Sequence, residues 1–367
     1  MTEADTIERA VVVQPSGPGS EKGHRPLLSP LMRRRWANFR ANRRGYWSLW
    51  VIGTMMILSF MAEFIANDKP LVMGYRGKLY FPVLATYPET TFGGVFETEA
   101  EYRSHAVQDM IEAGDGWMLW PPIRYNYETI DLRTAGPVPE APSWRHWLGT
   151  DDIGRDVTAR IIYGFRLSIV FGLCLTFFSS LIGITVGSIQ GYYGGWIDLF
   201  GQRAVEIWAG LPVLFLLIIL SSLIRPNPVS LLLLLLLFQW MALVAVVRAE
   251  VLRTRNFDYV RAARAMGELN LKIVTTHILP NAMVATLTFL PFILNGSITT
   301  LTALDFLGFG LPAGSPSLGE LLAQGKANIQ APWLGLAGFS TLAVMLTLLI
   351  FVGEAVRDAF DPRRSVT

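Results

Sequence analysis

Two stretches of the 367-residue chain concentrate side chains able to do more than fill a bilayer. The first, residues 256–281, reads NFDYVRAARAMGELNLKIVTTHILPN. Asp258 is placed to cap a helix that begins at Tyr259. Ala262, Ala263 and Ala265 favour that helix and keep its side chains small, and Gly267 permits a turn that a Cβ would hinder. Asn270 is placed to cap a second helical stretch, Leu271 to Leu279, and Pro280 either ends it or opens the next element. Small residues flanked by Arg261 and Arg264 let another protein's surface approach closely and offer it polar handles. A solvated amphipathic turn with no partner is the plainer alternative. The second stretch, Thr150, Asp151, Asp152, Arg155 and Asp156, alternates charge just before a long apolar run. It makes a salt-bridged turn, either as a structural cap or in contact with a substrate.

No bond-making set accompanies them. The pairs Gly77-Lys78 and Gly325-Lys326 lack the upstream glycine and following hydroxyl of a phosphate loop. There is no HExxH, and His24, His105, His146 and His277 are scattered, so a metal site has no support. Cys174 is the only cysteine and has no intramolecular partner. A net charge of +2 gives no bulk electrostatic case for nucleic acid. The chain reads as a non-catalytic subunit.

The elements around the two stretches are membrane spans. Apolar residues make up 51% of the chain and charged ones 16%, against about 25% in a soluble domain. Mean hydropathy is +0.38. Crossing about 30 Å of hydrocarbon takes about 20 helical residues. Six segments qualify: Tyr46 to Ala66, Gly164 to Gln190, Val205 to Ile224, Val229 to Ala249, Ala282 to Leu304 and Trp333 to Val356. Gly210-Leu211-Pro212 is placed to break the third, and Pro291 to kink the fifth. The expected fold is an all-α polytopic membrane protein with six transmembrane helices, the first at 46–66.

Residues 1–30, with Pro15, Pro18, Pro26 and Pro30, read as a disordered arm. Residues 31–45 form a basic amphipathic juxtamembrane segment, with Trp36 and Phe39 among arginines. It suits either a short helix on an anionic leaflet or a basic stop before a span. The arm carries nine Lys and Arg, residues 250–281 carry five, and the tail adds Arg357, Arg363 and Arg364. Both termini and the 250–281 loop are therefore expected on the cytoplasmic side. Residues 67–163 form the extracytoplasmic insert and gate-proximal segment, and 164–367 the core with the remaining five spans. The insert is expected either as a small cap, with short strands and a helix near Glu99 to Ala113, or as an irregular loop.

Charge inside the spans is scarce. Only uncharged Gln239 and Asn295 lie well within them, where a polar side chain either ties helices together or meets a substrate. An ion-coupled secondary transporter or channel needs more midplane charge and is the alternative. A membrane-anchored scaffold is a third.

Four blocks carry a family resemblance. RAARAMG, nine residues and then HILP, through Ala262, Ala263, Gly267, Leu279 and Pro280, resembles the EAA loop of ABC importer permeases. Arg261 stands where that family has an acidic residue. His146 to Gly172, Leu304 to Leu322 and Gly353 to Pro362 are similar to segments of the dipeptide/oligopeptide class, and the long insert resembles the Yej-type permeases of microcin C and peptide importers. The resemblance implies a type I ABC importer permease in the bacterial inner membrane. It further implies a second homologous permease subunit, a cytoplasmic ATPase with two nucleotide sites and a periplasmic peptide-binding protein. This chain would hold no cofactor or metal, and ATP and Mg would sit in the ATPase. The 257–270 helix would be the coupling helix, with Asp258, Tyr259, Arg261, Ala262, Ala263, Arg264, Gly267 and Pro280 at the ATPase. Thr150, Asp151, Asp152, Arg155 and Asp156, with Gly308, Gly310 and Pro312 of the 305–332 connector, would form the outer gate. From its residues alone, that connector is either a re-entrant loop or a plain turn-rich link.

Overall fold

A computed structural model describes residues 30–132, 137–224 and 227–360. The arm before Pro30 and the tail arginines Arg363 and Arg364 lie outside the described residues. The chain is mostly helical. It opens with α1 (Pro30–Ala41), α2 (Arg43–Phe60) and the short α3 (Ala62–Ile65). A small mixed unit follows, with β1 (Val72–Tyr75), β2 (Lys78–Tyr80), α4 (His105–Ala113) and β3 (Trp117–Leu119). Its strands pair antiparallel in the order β2-β1-β3. Met73, Tyr75, Phe92, Tyr102 and Ile111 fill a core of its own, so this segment is a folded unit and not an irregular loop. Its helix starts at His105, later than Glu99, because Ser104 supplies the cap by accepting the Val107 N–H.

Next come α5 (Val157–Tyr193), α6 (Gly195–Ala209), α7 (Val213–Leu223), α8 (Pro228–Gln239) and α9 (Met241–Thr254). They are followed by α10 (Asp258–Ala265), α11 (Asn270–Lys272), a π turn (Ile273–Ile278) and α12 (Leu279–Phe306). The chain closes with α13 (Leu318–Ala327) and α14 (Pro332–Phe360).

Among the described residues, three helical stretches are long and apolar enough to cross a membrane: α5, the run Asn270–Phe306 and α14. The pairs α6–α7, bent by 74°, and α8–α9, bent by 42°, bring the number to five if each pair is one span. The first bend falls at Gly210-Leu211-Pro212, where the sequence predicts a break, and the second at Trp240, which no breaker announces. The predicted first span also differs. α2 has 18 residues with Arg43 and Arg44 in its first turn, and it stops at Phe60 instead of reaching Ala66.

Close packing of α5 on α9 rests on missing side chains. A Cβ at Gly183 would lie 2.6 Å from the Trp240 carbonyl, one at Gly187 2.8 Å from that of Val244, and one at Gly191 2.8 Å from that of Arg248. Spaced four apart, the three glycines form one face of α5, and small residues on such a stripe let two backbones approach in lipid. Gln239 on α8 donates to Ser297 on α12 at 3.3 Å, acting as a tie between helices. Phe39 of α1 is buried against Ala355 and Ala359 of α14, with Arg35 over the Phe360 ring at 4.4 Å. Arg35, Tyr259 and Arg357 line one cavity of about 700 Å³. The first helix, the α10 loop and the end of α14 thus share one end of the bundle. The mixed unit meets the start of α5, at the other end.

Candidate functional site

The first site is the rim formed by α10. Its helix begins one residue earlier than predicted, with Phe257 at the cap position and no capping side chain. Asp258 is the first helical residue, fully exposed, with its carboxylate 4.0 Å from Arg261. A carboxylate there still favours the helix through the N-terminal dipole. Val260 and Ala263 are buried among Tyr192, Val247 and Ile273. This corrects the expectation that Ala263 meets a partner: Ala263 seats the helix on its own bundle. The other face is bare. Ala262, Arg261 and Ala265 are exposed, and Met266, Leu269 and Leu271 each expose more than 70% of their surface. Tyr259 accepts a hydrogen bond from Asn281 at 2.7 Å, and Arg264 lies over the Tyr192 ring at 5.4 Å.

Gly267 stops the helix at φ +77°, with open space where a Cβ would sit. Its N–H donates to the Arg264 carbonyl at 3.1 Å, and that of Glu268 to Ala263 at 3.2 Å. That pair of reversed bonds satisfies the last carbonyls, and the left-handed backbone between them suits glycine. Glu268 receives Lys272 and meets His277, each at 2.9 Å, and these partners hold its carboxyl below the usual range. Asn270 caps nothing, because its side chain accepts from Tyr192 at 2.7 Å. Pro280 follows the π turn inside the helical run Asn270–Phe306, so it neither ends that run nor starts a separate one.

The second site is at the opposite end of α5. Asp156 caps α5 by accepting the Ala159 N–H at 2.7 Å, and its other oxygen is 2.8 Å from His146 Nδ1. Asp151 accepts the Arg155 N–H at 2.8 Å and pairs with its side chain at 2.6 Å. Thr150 accepts the Glu140 N–H at 2.7 Å. Asp152 points outward, and burial by its neighbours together with the charge of Asp151 pushes its carboxyl up.

The site extends beyond the predicted residues. Glu320 of α13 bridges Arg155 at 3.2 Å and Arg160 at 3.0 Å. Arg160 is fully buried and also donates to the Ser315 carbonyl at 3.0 Å. On the far side, Asp131 accepts from Tyr125 at 2.7 Å and lies 3.5 Å from both His146 and Arg103. Burial and that bond push the Tyr125 hydroxyl up to about 12. The result is one chain of charges from the mixed unit, through the start of α5, to α13. Arg160 and Glu320 each follow a small or hydroxyl residue in an apolar context, and nothing local marks them as partners.

The 305–332 connector is folded, with α13 inside it. Gly308, at φ +79°, stops α12 by the same reversed pair of bonds, to Asp305 and Leu304. Asp305 accepts the Leu311 N–H at 2.7 Å and the Ser317 hydroxyl at 2.5 Å. Gly310 packs on that carboxylate, and the Pro312 carbonyl accepts from Ser315 at 3.1 Å. Gly308 and Gly310 line a cavity of about 540 Å³ with Ser221, Ser222 and Asn227. Among the described residues there is no cluster of His, Cys, Asp and Glu able to hold a metal.

A helical bundle with a seated rim helix at one end and an ion-locked turn at the other has the form of a transport subunit. The chain belongs to the binding-protein-dependent transport system inner membrane component family, whose model matches residues 183–366. Within it, the chain is an ABC transporter permease for peptide-type substrates, of the Yej type, and a multi-pass inner-membrane protein. It is 55% identical to the peptidoglycan transport system permease protein YejE of Agrobacterium fabrum, over 96% of this chain and 99% of that one. It is 58% identical to the inner membrane ABC transporter permease protein YejE of Escherichia coli, over 92% and 99%. The oligopeptide transport system permease protein OppC of Mycobacterium tuberculosis is 35% identical, over 67% and 84%.

Proposed function

We propose that the chain forms half of the translocation pore of an ATP-driven oligopeptide importer and takes its drive through α10. A second, homologous permease subunit supplies the other half. The six crossings are α2 with α3, α5, the pair α6–α7, the pair α8–α9, α12 and α14. The termini and α10 face the cytoplasm, and the mixed unit and ion-locked turn face outward, toward a peptide-binding protein. Cargo is a peptide, of the free, cell-wall or microcin C-like kinds. A cytoplasmic ATPase with two nucleotide sites binds ATP and Mg.

The observation that carries this reading is the division of α10 into a seated face and a bare one. A rod fixed to its bundle by Val260 and Ala263, with Met266 and Leu269 exposed beside it, transmits a push to α9 and the π turn behind it. Closure of the ATPase pair moves that rod as a body and rocks the bundle between inward and outward openings. The gate turn follows as a unit because Glu320 ties α13 to α5. Hydrolysis resets the cycle. The test is cysteine cross-linking in the assembled complex. Ala262→Cys is expected to join an ATPase subunit, whereas cross-linking only within the membrane chains contradicts coupling through α10.

A further inference from the structure

We propose that the mixed unit between α3 and α5 carries a groove for a short peptide with free ends, its carboxylate at an arginine-rich end and its ammonium at an acidic end. The proposal rests on the peptide reading above and adds a site to it. Two cavities, of about 540 and 380 Å³, open on this unit, and both are walled by Arg103 and Asp131. The two cavities are neighbours on either side of the Arg103–Asp131 pair, and a peptide laid over that pair reaches both. Each half falls within the size of ordinary ligand clefts, about 300–1,000 Å³.

The halves differ in charge. Asp68, Glu99, Glu101 and Asp131 face the first against Lys69 and Arg103. Arg103, Arg124 and Arg145 face the second against Asp131 alone. Asp131 is already held by Tyr125, His146 and Arg103, so it fixes the floor and does not neutralise the rim. Arg124 and Arg145 are exposed and pair with no carboxylate among the described residues, and neither does Glu101 with a cation. Lys69 does pair with Glu99.

Guanidinium forks suit a carboxylate, through paired charge-assisted bonds. Trp120 and Trp144 also wall this half; Trp144 is 97% exposed, and Arg124 lies over the Trp120 ring at 5.6 Å. Flat indoles give a peptide's apolar parts a surface. A phosphate or a lipid headgroup would use the arginine end only and leave the acidic end without a role.

The test uses the full-length permease in phosphatidylcholine nanodiscs, with no binding protein, and free-ended tetra-alanine as the probe. Calorimetry is expected to show binding that weakens about tenfold on amidating the C-terminus and about tenfold on acetylating the N-terminus. Arg124→Gln with Arg145→Gln brings the free peptide to the level of the amide and leaves the amide unchanged. Glu101→Gln does the same for the acetylated peptide. Equal binding of all three peptides overturns the groove, as does indifference to these exposed substitutions. Inorganic phosphate or phosphatidylglycerol binding as tightly as the peptide, with Glu101→Gln silent, also overturns it, in favour of a simple oxyanion site. ATP-driven peptide uptake by the whole complex separates the two levels. Uptake without groove binding refutes the groove alone, and uptake of no peptide refutes the importer reading itself.

Discussion

Arg160 and Glu320 lie 160 positions apart in the chain and meet at 3.0 Å, joining the start of α5 to α13. The arginine is wholly buried, while the glutamate keeps a partly open face. Burying a guanidinium is unfavourable unless its donors are met. Here Glu320, the Ser315 carbonyl and the nearby Asp151 surround it.

Removing one partner leaves the other without its counter-charge. Arg160→Met is expected to destabilise the protein by about 3–5 kcal/mol, the usual cost of breaking a buried pair. Adding Glu320→Gln should recover part of that loss. Unfolding of single and double variants in detergent measures the coupling.

The glycine stripe of α5 gives a steric prediction. Gly187→Leu places a branched side chain where a Cβ already falls 2.8 Å from the Val244 carbonyl. The helices must part, at a cost of about 1–3 kcal/mol or more. The same change at Gly53, where a Cβ meets open space, should be close to neutral. Thermal unfolding of the two variants decides it.

Tyr125→Phe removes the hydroxyl that Asp131 accepts at 2.7 Å within the buried relay to His146. A hydrogen bond to a charged group contributes about 1.5–3 kcal/mol, and a loss of that order is expected. Hydrogen exchange of the mixed unit should rise while α14 is unaffected.

Two carboxylates at opposite ends, Asp152 exposed and Glu268 half-buried, respond to pH with opposite sign. The folded Asp152 binds its proton more tightly than the unfolded chain does, so its contribution to stability falls as pH rises from 3.8 through its raised folded value. Glu268 binds its proton less tightly when folded, so its contribution is present above 4.5 and is lost as pH falls through the lowered value. Asp152→Asn should therefore raise the midpoint of unfolding at pH 7, and Glu268→Gln should lower it. The Asp152 difference should fade at pH 3, and the Glu268 difference should shrink as pH falls below 4.5; both are small, since solvent screens charges near the surface.

The sequence made some of this architecture legible because the signals are local. A Gly-Leu-Pro triplet breaks a helix wherever it stands, and it marks the 74° bend. Charges alternating before an apolar run read as a salt-bridged turn, and Asp151 pairs with Arg155 there. Alanines followed by glycine predict a short helix with a glycine stop, which α10 has. What escaped depends on distant contacts. Helical periodicity separates Ala262 from Ala263 by about 100° but does not say which side meets the bundle. Glu320 and Arg160 are ordinary residues until the chain folds back. The 42° bend at Trp240 has no breaker beside it.

The bare face of α10 is the most direct point of test. Ala262→Arg adds bulk to the exposed side only, whereas Ala263→Arg forces a charge into the core around Val247 and Ile273 and should prevent folding. The decisive measurement is substrate-stimulated ATP hydrolysis by the purified, fully assembled Ala262→Arg complex. Loss of stimulation, with the membrane chains folded and assembled, is the predicted result. Full stimulation, equal to that of the unaltered complex, would contradict transmission through this helix.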